Sequence, residues 1–566
     1  MLQHLMILSR LRPLLATLAV AISHAAERPN ILVIMADDLG YSDLGCFGGE
    51  IRTPHLDQLA SNGLQFTRCY NSSRCCPSRA SLLTGLTPHQ AGIGRFVGNG
   101  SKPGYLGRLS DRCVTLAEVL GPVGYDCYAA GKWHVNDPGP IKRGFKEFYG
   151  FLHGYAIDSW NPSMMVHLPE ESATKPTEPY FATDAITQNA INFVDQSRRQ
   201  DNPWLLYLAY QAPHFPLQAP PELSDQYEAT YARGWDRLRE ERFARMMKLG
   251  LIPEGSTLPP RGPIDNKAVA KAHGSMTPDG MNPSWDSLPA DRRADLARRM
   301  SVYAAMVENM DANIGRLIED LRKNDQLDNT IILFLTDNGA CAEWEPFGFD
   351  LDPKDYLKGK PGHGINSYTN PKPNHLHTGD ELTAMGGPGS LFSYGSAWAN
   401  LSNTPLRLYK HYAHEGGIRG PMIVHWPKGI KDPGGRRDHV VHVMDLMPTF
   451  IEMTKASYPT EAPDHPILPL EGRSMLSAIR GEAEKPRTIV FEHERNAAIR
   501  SGDWKLVGQN VISRKGIRRD ADWELYNLKQ DPFELQNLAK TRPEQVKYLV
   551  DHLESEAKRT LILPAP

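Results

Sequence analysis

Short apolar runs, each closing on a polar group, recur along the chain. Ile31-Leu32-Val33-Ile34-Met35-Ala36 runs into Asp37-Asp38. Tyr125 to Ala130 runs into Gly131-Lys132-Trp133-His134, and Trp204-Leu205-Leu206-Tyr207-Leu208-Ala209 leads to Pro213-His214. Thr330-Ile331-Ile332-Leu333-Phe334-Leu335-Thr336 runs into Asp337-Asn338-Gly339, and Met422-Ile423-Val424 follows Glu415-Gly416-Gly417. Such runs, without polar alternation, fit strands buried on both faces of a mainly parallel sheet. Helical periodicity lies between them, over Thr115 to Leu120, Thr183 to Gln196 and, longest, Arg298 to Lys323. The alternation predicts an α/β fold: a large, mainly parallel or mixed sheet sandwiched by helices. In open α/β sheets the site lies beyond the carboxyl ends of the strands, and four of these runs put polar chemistry there.

The pattern changes in three places. Between Tyr227 and Ala297, the charged and amphipathic stretch Trp235 to Leu249 predicts a surface helix packed on the domain. Residues 340–404 are rich in Gly, Asn, Pro and His, with Trp344, Tyr356, Tyr368 and Trp398 interleaved. A loop of that length inside a compact chain is more often functional than decorative, and His363, His375 and His377 are candidates to line a substrate groove. Towards the end, Thr488 to Glu492, Ala497 to Arg500, Trp504 to Val507 and Trp523 to Asn527 read as short strands, followed by a helix from Pro543 to Arg559. The expected organisation is a targeting segment at 1–25, a catalytic domain at 26–478, and a smaller C-terminal subdomain at 479–566 made of antiparallel sheet plus helix.

The 566 residues are 23% charged and 40% hydrophobic, a globular composition with room for a sizeable core. The net charge of −3, without a Lys/Arg-rich run, argues against nucleic acid as a partner. Arg10 and Arg12 precede the apolar run Leu14 to Ile22, and Ser23-His24-Ala25 offers a small-x-small cleavage site. This is the form of a signal peptide, so the chain is expected to be exported to a periplasm or secreted, with no stable membrane contact. Export permits disulfides. Cys46, Cys69, Cys76, Cys113, Cys127 and Cys341 show no C-x-x-C spacing, and their pairing cannot be deduced.

Asp37-Asp38 is a hard-oxygen pair suited to Ca²⁺ or Mg²⁺. Alone, Asp-Asp at a strand end more often serves a turn or a helix N-cap, and Asn338-Gly339 is also a turn signal. If the two strands are neighbours, three carboxylates and an amide oxygen converge, and such a set needs a cation to offset its repulsion. Taken singly, Lys132 and Lys410 read as surface lysines, and His134 and His214 as structural histidines.

The densest signal is Cys75-Cys76-Pro77-Ser78-Arg79, continuing Ala80-Ser81-Leu82-Leu83-Thr84-Gly85. Pro77 suits the first turn of a helix, which puts Cys75 just before a helix N-terminus, where free N–H groups favour an anion. The run resembles the signature of the sulfatase family, C-x-P-S-R followed by L-L-T-G. In order and approximate spacing the resemblance extends from Arg28 to Trp426. Gly502-Asp503-Trp504-Lys505-Leu506 also resembles the family's C-terminal subdomain.

The resemblance implies that a formylglycine-generating or sulfatase-maturating enzyme oxidises Cys75 to formylglycine, whose hydrate attacks sulfur. It implies that Asp37, Asp38, Asp337 and Asn338, with residue 75, hold one divalent cation, calcium in preference to magnesium. Arg79 then contacts formylglycine and sulfate, Lys132 binds sulfate, His134 contacts the nucleophile, and His214 and Lys410 complete the catalytic set. The implied reaction hydrolyses the sulfate ester of a sulfated small molecule or glycan to an alcohol and inorganic sulfate. In it, His214, with Lys410 or Asp337, protonates the leaving oxygen. Cys76 places two thiols side by side, but the offsets to proline and arginine select Cys75. The segment Ile418-Arg419-Gly420-Pro421 also departs in detail. A phosphonate or phosphodiester hydrolase of the same superfamily would use the same nucleophile and metal, and an unmodified Cys75 would leave a non-catalytic sulfated-glycan binder.

Overall fold

The computed structural model describes residues 28–172, 178–351, 361 and 372–566. The targeting segment, Tyr356, Tyr368 and His363 lie outside the described residues.

Ten strands form one mixed sheet. They are β1 (Asn30–Ala36), β2 (Leu64–Tyr70), β3 (Asp126–Lys132), β4 (Glu147–Phe151), β5 (Val166–Leu168), β6 (Trp204–Ala209), β7 (Thr330–Thr336), β8 (Arg419–His425), β9 (Gly435–Arg437) and β10 (Val441–His442). Their order is β9-β2-β8-β7-β1-β6-β3-β4-β5, with β10 on β2. The core β7-β1-β6-β3-β4 is parallel throughout, whereas β8 runs antiparallel to both β7 and β2. β1 shows why its sequence is apolar at every position. Leu32, Ile34 and Ala36 enter one core, and Ile31, Val33 and Met35 enter the other. The first core is closed by α1 (Pro54–Ser61), α3 (Ala182–Gln200), α4 (Trp235–Lys248) and α5 (Ala290–Lys323). The second is closed by α2 (Cys75–Thr84) and α6 (Leu446–Thr454). Helices on both faces of a mainly parallel sheet are the layering that the alternation predicts.

Helix boundaries differ from the periodicity where buried charge interrupts it. α5 begins at Ala290, eight residues before the predicted start. Arg298 and Arg299 lie on its buried side, where Arg299 bonds Asp295 (3.0 Å) and Asp350 (2.9 Å), so the arginines hide the apolar stripe. α4 is likewise less superficial than its composition suggests. Arg242 is wholly buried against Asp43 (2.8 Å) and Glu50 (2.7 Å). Among the described residues, no helix is long and apolar enough to cross a membrane. All seven cysteines are free thiols.

The C-terminal segment forms a separate antiparallel sheet in the order β11 (Thr488–His493), β12 (Asn496–Ser501), β13 (Trp504–Gly508) and β14 (Glu524–Asn527), with α7 (Pro543–Arg559) against it. Strand alternation gives it two buried faces. Ile499, Leu506 and Leu525 pack on Leu549 and Leu553 of α7, while Ala498, Val507 and Tyr526 pack on Tyr70 and Ile418 of the large domain. At that second face, fully buried Lys505 reaches Glu415 (2.9 Å) and Glu534 (2.7 Å). Removing one member of a buried ion cluster strands the remaining charges. Lys505→Ala is therefore expected to lower unfolding stability in urea by about 3–5 kcal/mol. Arg519→Ala, which breaks exposed pairs with Asp551 and Glu554, should leave the urea midpoint nearly unchanged.

Candidate active site

The site is assembled at one edge of the sheet. Ala36 of β1 and Thr336 of β7 are paired in register, so Asp37 and Asp337 leave neighbouring strands at the same level. The Asp38 amide donates to Asp337 Oδ1 (3.3 Å), and Asn338 Nδ2 donates to Asp38 Oδ1 (2.6 Å). Lys132 is the last residue of β3. Gly131 before it has φ +100°, and a Cβ there would lie 1.9 Å from the Ala209 carbonyl oxygen, so only glycine lets β3 and β6 approach this closely. His214 follows β6 by a short turn. Because β8 is antiparallel, its first residues lie at the carboxyl edge of its parallel neighbour, and Lys410 arrives there just upstream. The Lys410 amide donates to Ala340 (3.1 Å). A Cβ on Gly339 would lie 1.7 Å from the Gly416 oxygen, a second close approach that fixes the same corner. Cys75 opens α2 after β2, rather than lying just outside the helix. Ser78 Oγ accepts the Ser72 amide (2.8 Å) and pins the loop that delivers it.

The residues of the predicted catalytic and metal-binding set converge here. Asp37, Asp38, Cys75, Arg79, Lys132, His134, His214, Asp337, Asn338 and Lys410 are all 0–1% exposed. Arg79 donates through Nε (3.0 Å) and Nη2 (2.7 Å) to Asp337 Oδ2, and its Nη2 lies 3.5 Å from Asp37 Oδ2. Lys132 Nζ donates to Asp37 Oδ2 (2.5 Å) and to the Tyr155 carbonyl (2.6 Å). Lys410 Nζ donates to Asp38 Oδ2 (2.9 Å) and lies 3.3 Å from His214 Nε2. Asp38 (φ 67°) and His134 (φ 54°) hold left-handed backbone, a strained conformation of the kind that concentrates at functional sites.

The electrostatics follow from this packing. Burial and the neighbouring Asp37 push the Asp337 carboxyl well above the usual range, despite Arg79. Burial would raise the Cys75 thiol, but Cys76, Lys132 and His134 outweigh it and hold that group well below its ordinary value. Cys76, under burial and beside Cys75, is pushed well up. Burial lowers His134 to about 4 and, with Lys410, lowers His214 to about 3, so both rings are neutral at pH 7. The carboxylate cluster also suits a divalent cation. Asp37 Oδ1 and Asn338 Oδ1 are buried without a hydrogen-bond partner among the described residues, and both are hard oxygens.

A family model described as Sulfatase matches residues 29–456. The chain belongs to the sulfatase family. A second model, N-sulphoglucosamine sulphohydrolase, C-terminal, matches residues 407–560 of this sulfatase. The chain is 34% identical to an uncharacterized sulfatase of Schizosaccharomyces pombe, over 96% of this chain and 95% of that one. It is 34% identical to an arylsulfatase of Klebsiella aerogenes, over 81% and 93%. The crystal structure of Ps i-CgsB in complex with k-i-k-neocarrahexaose superposes with a TM-score of 0.61 at 27% identity, covering 95% of this chain and 94% of that one.

Sequence reasoning missed a second row of charge beside residue 75. Arg74 contacts the His411 ring (2.8 Å), and His411 Nε2 meets Glu343 Oε1 (2.5 Å). These residues carry no spacing signal, and the fold alone brings them together. The structure also gives His377 a scaffold role rather than a free place in a groove. Its Nδ1 meets Asp295 Oδ1 and its Nε2 meets Asp350 Oδ2, both at 2.8 Å, which fastens the long loop to α5. Two carboxylates on one ring require an imidazolium. Although burial opposes it, bonds to Asp295 and Asp350 raise His377 from 6.5 to about 9. A raised folded pKa stabilises below the unfolded value and is lost as pH rises through the folded one. Relative to His377→Gln, the wild type should therefore lose up to about 3 kcal/mol of unfolding stability between about pH 6.5 and 9. Parallel urea titrations across that window measure the difference, and equal pH slopes would remove the clamp.

Proposed function

We propose that the protein hydrolyses sulfate esters of carbohydrates to the alcohol and inorganic sulfate, with residue 75 as the nucleophile. The observation that carries the reading is the buried convergence of Arg79, Lys132 and Lys410 on Asp337, Asp37 and Asp38, with Lys132 and His134 beside residue 75. The choice of carbohydrate draws on relatives. An N-acetylglucosamine-6-O-sulfatase of Bacteroides thetaiotaomicron is 26% identical over 93% of this chain and 85% of that one. Conversion of Cys75 to formylglycine needs a maturation enzyme and supplies a hydrated aldehyde whose oxygen attacks sulfur. Asp37, Asp38, Asp337 and Asn338, with residue 75, would hold one calcium ion, which supplies Lewis-acid polarisation of a sulfate oxygen. The N-terminal segment would direct export.

The remaining steps belong to the chain's own side chains. Arg79 and Lys132 face the nucleophile from two elements and neutralise the sulfate oxygens as negative charge builds. His214 Nδ1 lies 2.5 Å from the Phe215 carbonyl oxygen, so this nitrogen carries the ring hydrogen and Nε2 is an acceptor. Lys410 is then the proton carrier of the Lys410–His214 pair. Burial alone would lower its pKa, but Asp38, Cys341 and Glu343 keep it well above its ordinary value, so the proton is present to stabilise the leaving oxygen. Neutral His134 sits against residue 75 and takes a proton there.

Cys75→Ala should abolish turnover of 4-nitrophenyl sulfate, by about four orders of magnitude or more, with the fold intact by circular dichroism. Cys76→Ala should stay within about fivefold, a barrier change of about 1 kcal/mol. The reverse result would mean that the motif register is wrong. Exhaustive chelation should remove activity and calcium should restore it. Calcium should also raise the melting temperature of the wild type and leave that of Asp337→Ala unchanged. Full activity in metal-free protein would sink the assignment of the carboxylate cluster.

A further inference from the structure

A cavity of about 290 Å³ opens beside the catalytic cluster, lined by Arg95, Arg495 and Arg514 together with Glu492, Glu494 and Pro566. Two links tie it to the nucleophile. Cys76 Sγ donates to the Arg95 carbonyl oxygen (3.6 Å). From the other side, Arg74 precedes Cys75 in the chain, contacts His411, and His411 Nδ1 lies 3.4 Å from Glu494. The cavity therefore starts about two side chains from residue 75, on the rim where the tail sheet meets the large domain.

The acidic side chains in its lining already have partners. Glu492 is already engaged by His89 Nε2 (2.7 Å) and Tyr105 Oη (3.4 Å). Glu494 is held well below its usual range, first by its bond to His411. The guanidinium groups of Arg95, Arg495 and Arg514 are exposed and make no ion pair among the described residues. Three unpaired planar forks around one small volume match the oxygens of a sulfate or carboxylate in charge and in geometry.

The geometry points to a second anion subsite in this cavity. It takes a sulfate or carboxylate on a sugar next to the one being desulfated. The inference rests on the sulfatase reading and deepens it: the substrate is a polyanionic glycan rather than a lone aryl sulfate. The cavity adjoins the loops around residue 75 without sharing any residue of the catalytic cluster. The tail subdomain, which supplies Arg495 and Arg514, then becomes part of substrate recognition.

The test compares Cys75→Ala, which binds without turnover, with the same protein carrying Arg95→Ala, Arg495→Ala and Arg514→Ala. Calorimetry would follow binding of two probes: a heparin hexasaccharide, with sulfates and carboxylates, and a ι-carrageenan hexasaccharide, with sulfates alone. Loss of the three arginines should weaken binding of at least one probe about tenfold or more, and reduce its salt dependence. In the Cys75 background, kcat/KM for 4-nitrophenyl sulfate should change by less than about twofold, since no reacting group is touched. Weakening of the carrageenan probe assigns the site to sulfate, and weakening of heparin alone assigns it to carboxylate. The single variant Arg514→Ala, at a fully surface position, should show a partial loss and guards against a folding defect in the triple variant. Unchanged binding of both probes, no binding of either to the parent, or an equal loss on nitrophenyl sulfate would overturn the subsite. Failure of the sulfatase reading would look different: no sulfate ester turned over, with arginine-dependent binding retained.

Discussion

The site depends on burying six charges at one sheet edge. Asp37, Asp38 and Asp337 face Arg79, Lys132 and Lys410, and all six are 0–1% exposed. Neither half is tolerable alone, because an unpaired buried charge costs several kcal/mol. Together they balance, three against three. In the reaction proposed for this site, a sulfate ester would meet cationic groups that no water shell weakens. The raised Asp337 carboxyl and the unpartnered oxygens of Asp37 and Asn338 lie on the acidic side of this set.

Topology makes this charge assembly possible. Parallel strands β7, β1, β6 and β3 release Asp337, Asp37, His214 and the Lys132–His134 segment at one edge. The antiparallel β8 brings Lys410 to the same edge from the opposite chain direction. Glu415, five residues beyond Lys410, is gripped by Lys505 of the tail sheet. The docking of the tail is thus tied to the segment that carries Lys410. The same docking forms the arginine-lined cavity.

The large sheet and the carboxyl-edge rule were legible because β1, β6 and β7 are buried on both faces and read as unbroken apolar runs. β2 was not legible: Gln65, Thr67 and Arg68 interrupt Leu64–Tyr70, and Gln65 is buried with its amide donating to the Cys46 carbonyl (2.8 Å) and accepting from Arg436 (3.4 Å). The start of α5 was obscured in the same way by Arg298 and Arg299. Resemblance to the family's motifs located all ten residues that converge at the site; taken singly, Lys132, Lys410, His134 and His214 read as surface or structural residues. Arg74, Glu343, His411 and Glu494 had no such match. Their meeting is set by loop packing, which periodicity does not encode. His375 and His377 were read from composition alone, and His377 proves to be committed to Asp295 and Asp350.

The central claim is that residue 75 carries the reacting oxygen inside this cationic shell. The most direct measurement is the mass of the peptide containing residue 75, taken from a preparation that turns over a sulfate ester. The account predicts a peptide that has lost one sulfur and two hydrogens and gained one oxygen relative to the encoded cysteine. An unmodified Cys75 throughout a fully active preparation would contradict it.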